Sequence, residues 1–433
     1  MKYFKGKKVL VYGMGRSGQS ACKILYQNEA CVSIYDDDKA YSNMFCFEPE
    51  PIKKEFDLVV VSPGVKVIGN EIISHFLNKK TPLISELDLG KSFCKGLFIA
   101  ITGTNGKTTV TSLLGEIFKA SGRETFVCGN IGLPLSSVAL KTSKKSVVVC
   151  EVSNFQLELS TFFNPDIACI LNLAEDHIDR HGNFAEYVRV KNKITQNFNG
   201  KNILVYNHDD INSNLVATPK KACIFSKNEQ KQGSFVKDGI IYHNRTKVMP
   251  ISEIQLKGEK NLENVLACIE IAMLCKVKAQ FIRETIKNFA GLPHRLEYLG
   301  RHNGVDFYND SKSTNIACIE MAIQSLKAKN LVLLVGGKNK DCNYAHLFNR
   351  GYDIKKVVCF GECGAEVYLL ARNAGYTAFC YQTMKDAVLD VMKIAERGDV
   401  VLLSPGGASF DEFDSYVARG QVFKELVSGT YQE

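Results

Sequence analysis

The residues best equipped for chemistry form the run GTNGKTT, Gly103 to Thr109. It lies between an apolar stretch, Leu97 to Thr102, and a helical pattern with Val110, Leu113, Leu114, Ile117 and Phe118 on one face. Strand, glycine loop and helix in that order are what a phosphate-binding loop requires. Backbone N–H groups at the helix N-terminus cradle phosphate oxygens, Lys107 reaches the β- and γ-phosphates, and Thr108 can ligate Mg²⁺. Gly103, Thr104, Asn105, Gly106 and Thr109 complete the candidate cradle. The regular G-x-x-x-x-G-K-[ST] spacing is not met, because Ile101 stands where its first glycine belongs. The bland alternative, a Gly-Asn turn before a helix with an exposed lysine, is the lesser reading in this context.

A phosphate loop needs an acid for its metal, usually at the end of a neighbouring strand. Glu151 closes the apolar run Val147 to Cys150; without the loop it would read as a salt-bridged edge residue, and with the loop the metal role leads. A further strand, Ile167 to Leu173, precedes Glu175-Asp176-His177-Ile178-Asp179-Arg180-His181. The i, i+4 pair His177 and His181 is not a zinc-protease motif, since Ile178 occupies the place of the required Glu. A lone histidine at a strand end is usually structural, yet His177 closes the strand next in sequence to that of Glu151, so it is read as a second metal ligand. Near the N-terminus GMGRSG, Gly13 to Gly18, matches the dinucleotide fingerprint, with Asp36 about 20 residues further on. A full dinucleotide site needs two mononucleotide halves, so this is read as half a fold holding a nucleotide-linked ligand. The run Asp36 to Asp38 reads equally as a solvated loop. Downstream, the loops around Arg295, Asp310, Lys338 and Ser404 to Ser409 combine cations, acids and amides after expected strands, where α/β domains bind ligands.

Short apolar runs alternating with helical-period stretches place the whole chain in the α/β class, built of βα units with parallel sheets. Strands are expected at 7–12, 31–38, 56–61, 97–102, 147–151, 167–173, 331–335, 357–360 and 400–403, with helices at 17–27, 264–275 and 281–289. A polar break at Asp88 to Lys95 suggests the first boundary and Leu292-Pro293 the second, giving domains of residues 1–90, 91–291 and 292–433. The length of 433 residues suits three domains. Hydrophobic content of 45% with 10 prolines excludes large-scale disorder. The charge of +8 is scattered in pairs such as Lys79-Lys80, which suits small anionic ligands better than a nucleic-acid track. Fifteen cysteines without C-x-x-C pairs, several inside apolar runs, are read as mostly buried small hydrophobes in a reducing cytoplasm. The apolar run Val9 to Tyr12 is too short for a signal peptide, and no segment approaches a membrane span.

The series GTNGKTT, GNIGLP, EVSNFQLE, EDHIDRH, KNLENVLA, GLPHRLE and NDSKSTN, in this order over essentially the whole chain, resembles the Mur ligases of peptidoglycan synthesis. The resemblance implies an N-terminal Rossmann-like domain holding UDP, a central P-loop ATPase domain with a mostly parallel sheet, and a C-terminal Rossmann-like domain that closes over the site. NDSKSTN, GLPHRLE and the SPGGASFDEF run near the C-terminus look most like the family members that add D-glutamate to UDP-N-acetylmuramoyl-L-alanine. By motif, Lys107 and Thr108 would hold phosphates and a first Mg²⁺ with Glu151, while His177 serves a second. Asn130 and His177 would approach the substrate, and Asn261, Asn264, Arg295 and Asp310 would surround ATP. Lys312, Thr314, Lys340, Ser409 and Tyr416 match the positions expected to receive D-glutamate. Arg16, Ser17, Asp36, Asp37, Ser62, Gly64, Ser153 and Gln156 are further candidate substrate contacts. Lys191 aligns with a lysine that reacts with CO₂ to become a carbamate; a solvated helical lysine is its alternative. A monomer working in the cytoplasm, with no nucleic-acid partner and no membrane insertion, is expected.

Three rivals remain at this level. Another Mur-type or folylpolyglutamate-type amide ligase is the nearest, though GMGRSG argues against folate. An NAD-dependent oxidoreductase leaves the phosphate loop, Glu151 and His177 unexplained. A nucleic-acid-stimulated ATPase lacks a basic stripe.

Overall fold

A computed structural model describes residues 4–44, 46–256, 258–326, 328–338 and 343–431. Three sheets carry the described residues. The first runs in the order Cys31–Tyr35, Lys8–Tyr12, Leu58–Val61, Leu83–Ser85, all parallel. The second orders Thr246–Pro250, Ile240–His243, Ser234–Lys237, Ala222–Ser226, Ile203–Asn207, Ile167–Ile170, Leu97–Thr102, Val147–Glu151 and Thr125–Gly129. Only the two pairings made by Ile240–His243 are antiparallel in it. The third orders Glu297–His302, Val305–Asn309, Val400–Gly406, Leu331–Gly336, Ile354–Phe360 and Ala378–Cys380, with one antiparallel edge pair. The expected α/β class with mostly parallel sheets is therefore what the chain adopts.

The continuous apolar strands explain this arrangement. Val147 to Cys150 are at most 1% exposed because both faces of the central strands are covered by helices, as parallel sheets require. From Leu97–Thr102 the chain moves to one side to build the next two strands, then returns to place Ile167–Ile170 on the other. The carboxyl ends of Leu97–Thr102 and Ile167–Ile170 thus flank a topological switch point, the usual ligand crevice of an open α/β sheet.

By its internal contacts the chain divides into two compact units, residues 1–254 with 260–289, and residues 255–259 with 290–433. The first unit contains both the first and the second sheet. The expected polar break at Asp88 to Lys95 needs correction: it lies largely within a helix, Glu86–Phe93, opened by a capping box between Ser85 and Asp88. The polar residues mark a join rather than a linker. Asp88, fully buried, accepts from Ser160 Oγ (3.0 Å) and the Thr161 and Phe162 backbone N–H groups (3.0 and 3.2 Å). Glu86 accepts from the Ser136 N–H (2.7 Å). Burial raises both carboxyl pKa values, so each needs these donors. The expectation of mostly buried cysteines also needs narrowing. Cys22, Cys128, Cys150, Cys169, Cys268, Cys359 and Cys363 are buried, but Cys31 and Cys380 are exposed and Cys46, Cys94, Cys223, Cys275 and Cys318 lie between.

Candidate active site

At the switch point, Gly106 caps the helix Lys107–Ala120 in the left-handed region, at φ 85°. A Cβ there would stand 2.2 Å from Asn264 Oδ1, so only glycine lets the helix Glu259–Leu274 approach so closely. Asn264 donates to Asn261 Oδ1 (3.2 Å), bringing both candidate amides to the loop. Asn172, beyond the neighbouring strand, accepts from the N–H of Asn105 (2.8 Å) and through its carbonyl from that of Thr104 (3.0 Å). Lys107 curls back over the loop, donating to the carbonyls of Gly103 (2.8 Å) and Thr104 (2.7 Å). Thr108 and Thr109 lie half-buried in the helix's first turn.

Two charged groups are buried beside this loop. Lys191 is 1% exposed; its Nζ donates to the Gly103 carbonyl (3.0 Å) and lies 4.6 Å from the Tyr187 ring. Burial, and then the neighbouring Lys107, push its ammonium well below the ordinary lysine pKa, with Asp176 opposing. Glu151, 2% exposed, accepts from Asn130 Nδ2 on Oε1 (2.8 Å), while its Oε2 is buried without a hydrogen-bond partner. A buried carboxylate oxygen left over at a phosphate loop is a hard donor of the kind Mg²⁺ takes. Among the described residues no three His, Cys, Asp or Glu converge as a metal cluster, so an ion here would draw on Glu151, hydroxyls and phosphate oxygens. His177, in the left-handed region at φ 52°, has a side chain 43% exposed, 3.6 Å from Asp176, with its ring tilted against that of Phe155.

A cleft of about 550 Å³ opens at the carboxyl ends of the first sheet. Arg16, Ser17, Asp36, Asp37, Ser62 and Gly64, all named from sequence, line it. Gly18 could not be larger, for a Cβ would meet the Gly13 carbonyl at 1.8 Å. Asp36 is spent on the loop itself, accepting from the backbone N–H groups of Met14 and Asp38. Asp37 accepts from the Tyr12 hydroxyl (2.8 Å). Ser153 and Gln156 are engaged with each other in the capping box of the helix Asn154–Glu158, so Ser153 Oγ and Gln156 Oε1 already have partners.

In the second unit, Lys312 Nζ lies 4.3 Å from the Tyr416 ring. Asp310 accepts from Ser404 Oγ (3.0 Å), Ser313 Oγ and the Leu296 N–H (3.0 Å), and burial raises its pKa to about 6 although Arg295 lowers it. Ser409 is buried, Thr314 half-buried, and Lys340 lies outside the described residues. Sequence reasoning missed Arg419, which is fully buried and donates to Ser311 Oγ (3.0 Å) and the carbonyls of Ser311 (2.9 Å), Gly407 (3.2 Å) and Ala408 (3.1 Å). It also missed Tyr187, whose hydroxyl pairs with Thr104 Oγ1 (2.9 Å). Their helical spacing, three residues beyond Tyr416 and four before Lys191, was the available signal.

Loop, buried carboxylate and switch-point crevice define a phosphate-loop nucleotide-binding protein. Comparison with known proteins narrows the class. Residues 101–272 match the family model for the Mur ligase middle domain, and residues 294–407 that for the Mur ligase glutamate ligase domain. The UDP-N-acetylmuramoylalanine–D-glutamate ligase of a Thermoanaerobacter species is 39% identical, with 98% of each chain covered. The Streptococcus pneumoniae protein of that name is 36% identical over 98% of each. Among solved structures, the UDP-N-acetylmuramate-alanine ligase of Thermotoga maritima has a similar fold, at a TM-score of 0.61 and 17% identity over 98% of this chain and 100% of that one. So has a MurF ligase of Thermotoga maritima in complex with ADP, at 0.60 and 16% over 99% and 97%. The chain belongs to the Mur ligase family.

Proposed function

We propose that this chain is an ATP-dependent ligase that joins D-glutamate to UDP-N-acetylmuramoyl-L-alanine in peptidoglycan precursor synthesis, acting as a cytoplasmic monomer without nucleic acid or membrane insertion. The observation that carries the chemistry is the unpartnered oxygen of Glu151 beside the phosphate loop. The full-length relatives named for this reaction support the choice of amino acid. Among the described residues no helix is long and apolar enough to cross a membrane.

A carboxylate is a poor electrophile because oxide is a poor leaving group. The γ-phosphoryl group of ATP passes to an oxygen of the alanyl carboxylate, leaving ADP and an acyl phosphate. The amine of D-glutamate attacks the acyl carbon and loses a proton, and phosphate departs with the bridging oxygen. Gly103 to Thr109 orient the phosphates and Lys107 neutralises the transferred group. Two Mg²⁺ ions would screen the anions that must meet, the first held by Thr108 and Glu151, the second by His177 and Lys191. For that role the Lys191 amine takes up CO₂, forming an N–C bond and releasing a proton to give a carbamate. Its burial favours the neutral amine that this needs. The first cleft takes the uridine nucleotide through Arg16, Ser17, Asp37, Ser62 and Gly64, with Asn130 near the substrate's reacting end. Asn261, Asn264, Arg295 and Asp310 serve ATP. Lys312, Thr314, Lys340, Ser409 and Tyr416 serve D-glutamate.

Phosphate release from ATP, Mg²⁺ and UDP-N-acetylmuramoyl-L-alanine should require D-glutamate. If L-glutamate, L-lysine or L-alanine replaced it, the substrate assignment would fall.

A further inference from the structure

Arg180 has no part in the scheme above, yet it is nearly buried, with its side chain and that of Glu158 each 10% exposed. Its Nε and Nη2 both donate to Glu158 Oε2, the former at 3.0 Å. The same Nη2 donates to the carbonyl of Val65 at 2.8 Å. Val65 lines the first cleft, so this bond fixes a wall of the cleft from outside. The guanidinium carbon Cζ lies over the Phe155 ring, 4.2 Å from its centroid. Phe155 in turn stands 4.7 Å from the His177 ring and 6.2 Å from the nearly parallel His181 ring. His181 meets Tyr187 edge-on at 5.7 Å, and the Tyr187 hydroxyl pairs with Thr104 in the phosphate loop. One unbroken layer of contacts therefore runs from the cleft wall to the loop, and Arg180 is its junction.

The backbone at His177 explains why a junction is needed there. A histidine in the left-handed region is held against its own preference. What holds it is its carbonyl, which accepts from the N–H groups of Arg180 and His181 (3.1 Å each), and the ring of Phe155 beneath it. Any shift of Arg180 is thus felt at the carbonyl of Val65 and at the His177 ring together. Only a planar fork can meet a carboxylate, a carbonyl and an aromatic face at once; an ammonium is a point charge.

We propose that Arg180 is a positioning residue that couples the seating of the substrate in the first cleft to the setting of His177, through the Val65 carbonyl on one side and the face of Phe155 on the other. This deepens the ligase reading and rests on it. The two arms are separable by experiment. In the full chain, Arg180→Met should weaken binding of UDP-N-acetylmuramoyl-L-alanine, titrated without ATP, and lower kcat at saturating substrate, each by roughly tenfold, as misplacement of a reacting group does. Phe155→Leu should lower kcat alike but leave that binding unchanged, because the bond to Val65 survives. Affinity for ADP should stay at the wild-type value in both. Arg180→Lys should not restore either property, and Arg189→Met, an exposed arginine on the following helix, should match wild type. A purely structural ion pair would instead lower the melting temperature while leaving kcat and binding per folded molecule intact. That result, or rescue by Arg180→Lys, or wild-type kcat in Phe155→Leu, would overturn the proposal. Should Arg180→Met not fold, Glu158→Gln loosens the same guanidinium and is read in the same way. Failure of the wild-type chain to ligate would remove the underlying reading and this inference with it, and is seen separately.

Discussion

Lys191 and Arg419 are both cations shut away from water, 1% and 0% exposed, but the regions around them treat that charge in opposite ways. Arg419 meets the hydroxyl and carbonyl of Ser311 and the carbonyls of Gly407 and Ala408. Burial brings its pKa down only to about 10, and it stays charged at neutral pH. Lys191 carries three potential donors and, among the described residues, its Nζ donates to one acceptor, Gly103 O. Its pKa falls well below the ordinary value. A buried cation whose donors are used ties segments together, whereas one left short is the more easily deprotonated. The same holds for the acids. Glu151 keeps an oxygen in reserve near the phosphate loop, whereas Asp310 in the second unit is hydrogen-bonded on both oxygens.

Removing the under-satisfied lysine breaks this contrast most sharply. Lys191→Ala should lower ligation by about 10³-fold, the upper range for loss of one preorganised electrostatic group, and added acetate should restore part of it. Full activity without rescue would make Lys191 a packing residue after all. On the other side, Arg419→Leu should destabilise the fold by about 3 kcal/mol, since it strands buried carbonyls and a hydroxyl together. The urea midpoint reports it, and an unchanged midpoint would show the arginine to be dispensable scaffolding.

Asp310 sharpens the comparison through pH. Its folded pKa of about 6 lies above the usual 3.8, so between those values the folded state holds a proton that the unfolded chain has lost. Stability contributed by the protonated form is present at low pH and fades as pH rises from about 4 to about 6. The unfolding free energy of wild type relative to Asp310→Asn should fall across that window; a flat difference would mean the carboxyl titrates normally. The smallest effect is at Ser153. Ser153→Ala should lose about 1 kcal/mol of stability, the worth of an N-cap, with the KM for the uridine substrate unchanged. A raised KM would return Ser153 to the substrate.

Much of the site was legible because its signals are local. GTNGKTT between an apolar strand and an amphipathic helix reads as a phosphate loop from a few neighbouring residues, and the residues named for the first cleft line it. Asp88 misled for the opposite reason. Its sequence neighbourhood is polar, and only Ser160, Thr161 and Phe162, far along the chain, turn that polarity into a buried join.

The amino-acid sequence by itself determined the class of the sheets, the position of the phosphate loop and the residue types offered to it, since strand hydrophobicity, glycine placement and helix periodicity act over a few neighbouring residues. Tertiary structure alone decided which polar atoms were spent and which were kept. Whether Lys191 meets one acceptor or four, whether Glu151 retains a free oxygen, and whether Arg180 touches both Val65 and Phe155 depend on partners up to 115 positions away. Burial in a medium that cannot hydrogen-bond turns those long-range choices into reactivity or into scaffold.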